Sequence, residues 1–350
     1  MQEVQTTLPV GSIVNERYQV EDLLGRGGFG AVYLVRDLRV RQNVFALKEI
    51  IDPSQRERRH FTFEAEVLKR TDHPSLPRVY RAFDNPELGR AYMLMDYIEG
   101  SNLEKLRLKQ PERRFALPAA LALVEPIVEA LAYLHTQQPP IIHRDIKPSN
   151  IIVPDSGTGA VLVDFGIAKE FDQEGTTTVI RSATPGYGAP EQYSAGTDIR
   201  TDVYGLGATL YTLLTGTIPV DAFFRMTQQM GKQVDPLPPV KQLVPSLPDS
   251  VSRAIERSMA PGKNERFATV NDFWAALHTE ALAASSTLPD PPVSIVAAES
   301  PLNPSRRFRA DPSASRIKWP VLALLLLLAL GLGFAAALLA LPHLRPLQTS

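Results

Sequence analysis

The 350-residue chain contains no cysteine. This excludes disulfides, thiolate metal sites and cysteine nucleophiles, and suits a catalytic region kept in a reducing compartment. An excess of either charge is also missing: 37 Lys and Arg stand against 38 Asp and Glu, a formal net charge of −1. Nucleic-acid-binding domains usually carry a basic excess, so no nucleic-acid partner is expected. Residues 1–14 have neither a basic start nor a long apolar run, and no secretory signal is expected there. No internal repeat is visible.

Long apolar runs are absent except in one place. Residues 321–341 pass 21 positions without a charge, mostly Leu and Ala. At about 1.5 Å per residue such a helix would reach about 31 Å, the thickness of a bilayer core. A buried core helix is the alternative, but core helices rarely run this long without a polar residue. Arg306, Arg307, Arg309, Arg316 and Lys318 precede the run, whereas only His343 and Arg345 follow it. By the positive-inside rule the N-terminal side is cytoplasmic. The expectation is a single-pass, tail-anchored chain in the cell membrane. Residues 319–341 would form the transmembrane helix and 342–350 a short extracytoplasmic tail. Gly331 and Gly333 would let two such helices approach as a homodimer, although their spacing is not the four-residue one of established dimer motifs.

The rest of the chain divides by pattern. After an N-terminal tail, 1–16, residues 17–98 read as a small strand-rich lobe. Apolar, β-branched or aromatic runs occupy 18–20, 31–35, 44–48 and 91–95, and one helix is expected at 61–70. Residues 99–280 read as a helical lobe. Leu121, Val124, Val128, Leu131 and Leu134 recur at helical spacing up to His135, and further helices are expected at 203–214, 252–259 and 270–277. The fold class is therefore α+β. Seven prolines lie between 282 and 321, so 281–318 is expected to be a disordered juxtamembrane linker.

Three clusters carry chemistry. The first is Gly25-Arg26-Gly27-Gly28-Phe29-Gly30, with Lys48 in Ala46-Leu47-Lys48. A glycine pattern of this kind also occurs in dinucleotide-binding folds, where it opens a helix. Here a strand sequence, Ala31-Val32-Tyr33-Leu34-Val35, follows instead, which describes a strand–turn–strand flap over phosphates. The second cluster is His143-Arg144-Asp145-Ile146-Lys147-Pro148-Ser149-Asn150. The third is Asp164-Phe165-Gly166, at the end of an apolar strand where a carboxylate needs a partner or a metal. In this order they supply a phosphate cradle, a proton acceptor and oxygen ligands for a hard cation. The combination resembles the eukaryotic-type protein kinase family, in particular its bacterial membrane-bound serine/threonine branch, over about 17–280.

The resemblance implies a two-lobed fold and transfer of the ATP γ-phosphate to protein Ser/Thr hydroxyls, with Mg2+, or Mn2+ as an alternative. It assigns Asp145 as catalytic base, Lys147 to the γ-phosphate, and Asn150 and Asp164 to the metal. Lys48 would hold the α- and β-phosphates and pair with Glu64 rather than Glu66. Gly25, Gly27, Gly28, Gly30, Val32, Ala46 and Ile152 join the nucleotide-binding set. The backbone of Asp96 and Ile98 would meet adenine at a hinge behind the gatekeeper Met95, and Asn102 would meet the ribose. Asp202 would anchor the catalytic loop, and Glu191, in Ala189-Pro190-Glu191, would pair with Arg266. Thr176, Thr177 and Thr178 are candidate autophosphorylation sites, with Arg144 as a free cation to receive the phosphate and Lys169 as a second. Thr184 would fix its loop near the substrate hydroxyl. A pseudokinase scaffold is the rival reading, although pseudokinases usually lose one of the residues matched by Lys48, Asp145, Asn150 and Asp164. A small-molecule kinase is a third, but its catalytic loop typically differs.

Overall fold

Period-two alternation builds the first sheet. In β3 (Gly30–Asp37) every second residue is buried, as a strand covered more deeply on one face requires. This and the other elements come from a computed structural model, which describes residues 7–285 apart from 28–29, 52, 54, 158, 166–183, 194–195 and 232–233. The expected linker beyond 285, the transmembrane helix at 319–341 and the tail at 342–350 lie outside the described residues.

Six antiparallel strands form the N-terminal sheet: β1 (Ile13–Val14), β2 (Tyr18–Arg26), β3, β4 (Val44–Ile51), β5 (Val79–Asn85) and β6 (Arg90–Asp96), in the spatial order β1-β2-β3-β4-β6-β5. One face buries Tyr33, Val35, Leu47, Tyr92 and Leu94. The other packs Ala46, Ile50, Met93 and Met95 with Phe61, Ala65 and Leu68 of α1 (Gln55–Leu68). Lys48 lies between Ala46 and Ile50 on β4, so period two aims it toward α1. The helix expected at 61–70 begins six residues earlier. Its first turns, Gln55 to Arg59, are polar and carry no apolar stripe, yet they are good helix formers.

Beyond the hinge the chain is mainly helical: α2 (Leu103–Leu108), α3 (Leu117–His135), α4 (Ile199–Thr215), α5 (Ala222–Met230), α6 (Val240–Leu243), α7 (Asp249–Ser258) and α8 (Val270–Ser285). A small sheet, β7 (Gly100–Asn102), β8 (Ile151–Pro154) and β9 (Val161–Leu162), lies within this part. The two-lobed α+β architecture implied by the sequence is present. α8 runs five residues past the expected boundary at 280.

α4 is the centre of the larger lobe and is buried from Thr201 to Leu214. Asp198 starts it with a capping box to Thr201, and Gly216 ends it in the left-handed conformation at φ 75°. α3 is the one helix among the described residues that is long and apolar enough to cross a membrane. Val124, Ile127, Leu131 and Leu134 are each 0% exposed in the common core, which gives this helix a packing role.

Candidate active site

The glycine segment closes the β2–β3 hairpin. Gly27 N–H donates to Gly30 O at 2.8 Å, and Gly25 and Arg26 pair with Val32 and Ala31. The segment therefore leads into a strand, as expected. Gly30 must be glycine, because a Cβ there would lie 1.8 Å from Glu49 O on β4. Gly25 and Gly27 differ: a Cβ would meet nothing within 4 Å at Gly25 and only Gly30 O at 3.9 Å at Gly27. Open space over glycine backbone is what close approach of a phosphate requires. Gly28 lies outside the described residues.

Lys48 Nζ lies 3.5 Å from Glu64 Oε1 and 4.0 Å from Asp164 Oδ1. Glu66 is on another face of α1 and bonds Lys69 at 2.5 Å. Burial works to lower the Lys48 pKa, but the charges of Glu64, Asp164 and Asp145 outweigh it and leave the value above that of an ordinary lysine. Burial also pushes the Glu64 carboxyl up, against the opposing pull of Lys48. Lys48 is thus a fixed cation held between a carboxylate from a helix and one from the far side of the cleft.

The catalytic-loop residues are drawn together by a 3₁₀ turn at Pro148–Asn150. Lys147 Nζ donates to Asp145 Oδ2 at 2.9 Å. Asn150 Nδ2 donates to Asp145 O at 2.9 Å and to Asp145 Oδ2 at 3.0 Å. Thr184 Oγ1 donates to Asp145 Oδ1 at 2.7 Å and accepts from Lys147 Nζ at 3.1 Å. Asp164 follows β9, and Val163 N–H donates to Asn150 O at 2.8 Å, which ties the two oxygen-bearing segments side by side. Arg144 (φ 65°) and Asp164 (φ 60°) are both left-handed non-glycine residues. Such backbone is costly, and at sites like this the surrounding structure holds it in place.

The scaffold beneath is buried and charged. Asp202 accepts from the backbone N–H groups of His143 and Arg144, both at 2.8 Å, and its Oδ2 lies 2.9 Å from His135 Nε2. Burial would raise its pKa, but these hydrogen bonds and the nearby histidines hold it below the usual carboxylate value. The Phe165 ring packs 4.6 Å from His143. Arg266 and Glu191 form a buried two-pronged pair at 2.7 and 2.9 Å.

Around the hinge, Val32 pairs with Lys48, Ala46 with Met95 and Asn102 with Ile152. The first three of these nucleotide-set residues thus sit on adjacent strands beneath the glycine turn. Ile98 lies in the irregular stretch between β6 and β7 and is half-buried. One expectation needs correction. Arg144 is not a free cation: it is buried, and its Nε donates to Thr197 Oγ1 at 3.0 Å. Asn102 is the N-cap of α2, its Oδ1 accepting from Lys105 N–H at 2.9 Å. Thr176, Thr177, Thr178, Gly166 and Lys169 lie outside the described residues.

Some contributors had no short-range sequence signal. Gln192 Nε2 donates to Arg144 O and its Oε1 accepts from Ala189 N–H, both at 2.9 Å. Thr197 likewise meets Arg144 of the loop from afar, and His135 meets Asp202, which holds the loop backbone.

A model of the protein kinase domain matches residues 18–268. Serine/threonine-protein kinase D of Synechocystis sp. is 30% identical over 319 residues, 87% of this chain and 59% of that protein. PrkC of Bacillus subtilis is 32% identical over 278 residues, covering 77% and 41%, and PknJ of Mycobacterium tuberculosis is 34% identical over 266 residues, covering 73% and 44%. The chain therefore spans between 41% and 59% of the length of these three relatives. Among solved structures, PpkA-294 in its apo form aligns with a TM-score of 0.65 at 27% identity, over 78% of this chain and 100% of that one. The kinase domain of Mycobacterium tuberculosis PknI aligns with a TM-score of 0.62 at 27% identity, over 78% and 100%. On the extent of the matched model, and with the cleft arranged as above, the chain belongs to the protein kinase domain family.

Proposed function

We propose that this chain is a membrane-tethered serine/threonine protein kinase that transfers the γ-phosphate of ATP to protein hydroxyls. One observation carries the reading: Lys48, Asp145, Lys147, Asn150 and Asp164, scattered along the sequence, line one cleft. Lys48 holds the α- and β-phosphates under the glycine turn, and Glu64 keeps the lysine in place. Asp145 orients the incoming Ser/Thr hydroxyl and takes its proton as the oxygen–phosphorus bond forms and ADP leaves. Lys147 stands beside it to offset charge on the transferring group. Val32, Ala46 and Ile152 border the nucleotide, with the backbone of Asp96 and Ile98 meeting adenine.

The donor set suits Mg2+, with Mn2+ as an alternative. Asn150 and Asp164 offer oxygen, and among the described residues no cluster of three His, Cys, Asp or Glu residues competes for a metal. Magnesium characteristically takes one or two protein oxygens and completes its shell with phosphate and water. When bound there, it would supply positive charge to offset that of the phosphates. The chain's part is to keep Asn150 and Asp164 adjacent, through the Val163–Asn150 backbone bond.

Thr176, Thr177 and Thr178 fit autophosphorylation, since they fall between Asp164 and Glu191. The full chain incubated with ATP and Mg2+ is expected to gain phosphate mass in the peptide containing Thr176–Thr178. No gain anywhere would remove the kinase reading, and gain confined to other peptides would remove the activation-loop sites alone.

The length of 319–341 and the basic residues before it support a membrane anchor with the catalytic part in the cytoplasm. The full chain is expected to sediment with membranes, and a chain ending near residue 300 to stay in the supernatant. Equal solubility would count against the anchor.

A further inference from the structure

Asp96 is gripped by the segment entering β5. Its backbone N–H donates to Arg78 O at 3.0 Å. Its Oδ2 accepts from Arg78 N–H at 3.0 Å and its Oδ1 from the Tyr80 hydroxyl at 2.6 Å. The Tyr80 ring also meets Phe45 edge-on, with centroids 5.1 Å apart, and Phe45 is the β4 residue paired with Asp96. Phe45, Asp96 and Tyr80 thus close a triangle across three strands at the point where β6 becomes the hinge.

Tyr80 is 50% exposed, and no core depends on its hydroxyl. That hydroxyl remains a donor at working pH, because the bond to Asp96, with some help from burial, pushes its pKa up to about 12. A tyrosine this exposed, aimed at a carboxylate on the hinge, adds little to packing. It adds a third bond to the two from Arg78 that hold residue 96. Hydrogen bonds weaken steeply with distance and angle, so a small displacement of the hinge backbone is felt by whatever bonds to it.

We infer that Tyr80 is a positioning residue for the nucleobase, acting through the Asp96 carboxylate to set the hinge backbone against the edge of a 6-aminopurine. The inference rests on the proposed contact between that backbone and adenine. Phenylalanine at this position keeps the ring against Phe45 and removes only the bond to Asp96, whose freed oxygen can turn to water. The loss therefore falls on nucleotide recognition and leaves both folding and chemistry in place.

The test uses full-length protein and initial rates of nucleoside diphosphate formation with a basic protein as acceptor. ATP is compared with purine riboside triphosphate, which lacks the 6-amino group. Wild-type enzyme is expected to prefer ATP. Tyr80→Phe is expected to raise KM for ATP about three- to tenfold, the worth of one hydrogen bond, with kcat within about twofold and the preference reduced by a similar factor. In an Asp96→Ala background the same change is expected to add nothing, because its route is already cut.

The outcomes separate. Wild-type enzyme indifferent to the 6-amino group would overturn the hinge contact itself, and this inference with it. Clear preference in wild type that survives unchanged in Tyr80→Phe would overturn the positioning role alone. A fall in kcat accompanied by a lower melting temperature would assign Tyr80 to the fold and overturn the inference as well.

Discussion

Asp145→Asn is expected to lower phosphoryl transfer about 10²- to 10⁴-fold, the usual contribution of a positioned base, while nucleotide affinity stays near wild type. The surrounding bonds explain why the fold should tolerate the change. Lys147 Nζ and Asn150 Nδ2 both donate to Oδ2, so an amide must turn its oxygen toward them. Its nitrogen then faces Thr184 Oγ1, a hydroxyl that can reverse and accept. Shape and hydrogen bonds survive, but the atom that faces Thr184 no longer takes up a proton. In the proposed reading the nucleotide is held elsewhere, by Lys48 and the glycine turn, on strands that the new amide would not touch. Initial rates with labelled ATP and a separate titration with a fluorescent nucleotide measure the two quantities. A rate within tenfold of wild type would remove Asp145 as proton acceptor, and a parallel loss of affinity would show a distorted cleft instead.

The grouping of the candidate residues was legible in the sequence where it is compressed into short segments. Asp145, Lys147 and Asn150 lie within six consecutive positions, because a single 3₁₀ turn folds them onto one another. The strand after Gly30 was legible for a similar local reason, since alternation of buried and half-buried residues along 30–37 is itself the strand signal. Lys48 could be placed because its strand neighbours Ala46 and Ile50 share its face.

What stayed hidden depends on distance along the chain. Arg144 reaches Thr197 across 53 positions, and no local pattern encodes that contact. Arg144 looked free because an arginine in sequence shows its charge and not its burial. The cap at Asn102 went unread, although the residue stands directly before the apolar Leu103 and an acidic Glu104, an ordinary helix-start pattern. The start of α1 was missed because the helical signal is an apolar stripe, and the sequence from Gln55 to Arg59 contains no apolar residue.

Glu191→Ala is expected to destabilise the fold by about 3–5 kcal/mol, the range for breaking a buried ion pair from one side. The Arg266 side chain is 0% exposed. Its guanidinium meets both Glu191 oxygens, the carbonyls of Ala260, Arg200 and Pro261, and the face of the Tyr204 ring at 5.0 Å. Without Glu191 the cation keeps only neutral partners in a place water does not reach. Replacing both residues, Glu191→Ala with Arg266→Met, removes the charge along with its partner and is expected to cost less than the two single changes added together. Asp72→Ala supplies the contrast: its pair with Arg78 is exposed, at 79% and 66%, and the unfolding midpoint should not move. Urea unfolding followed by two spectroscopic probes measures all of these. A Glu191→Ala midpoint matching that of Asp72→Ala would show that the pair adds nothing. The effect should also reach the cleft, because Glu191 shares the 3₁₀ turn Pro190–Tyr193 with Gln192, which bonds Arg144 O beside Asp145. Loss of the pair thus frees the turn that supports the catalytic loop from below, and transfer activity should fall at temperatures where the rest of the fold is still intact.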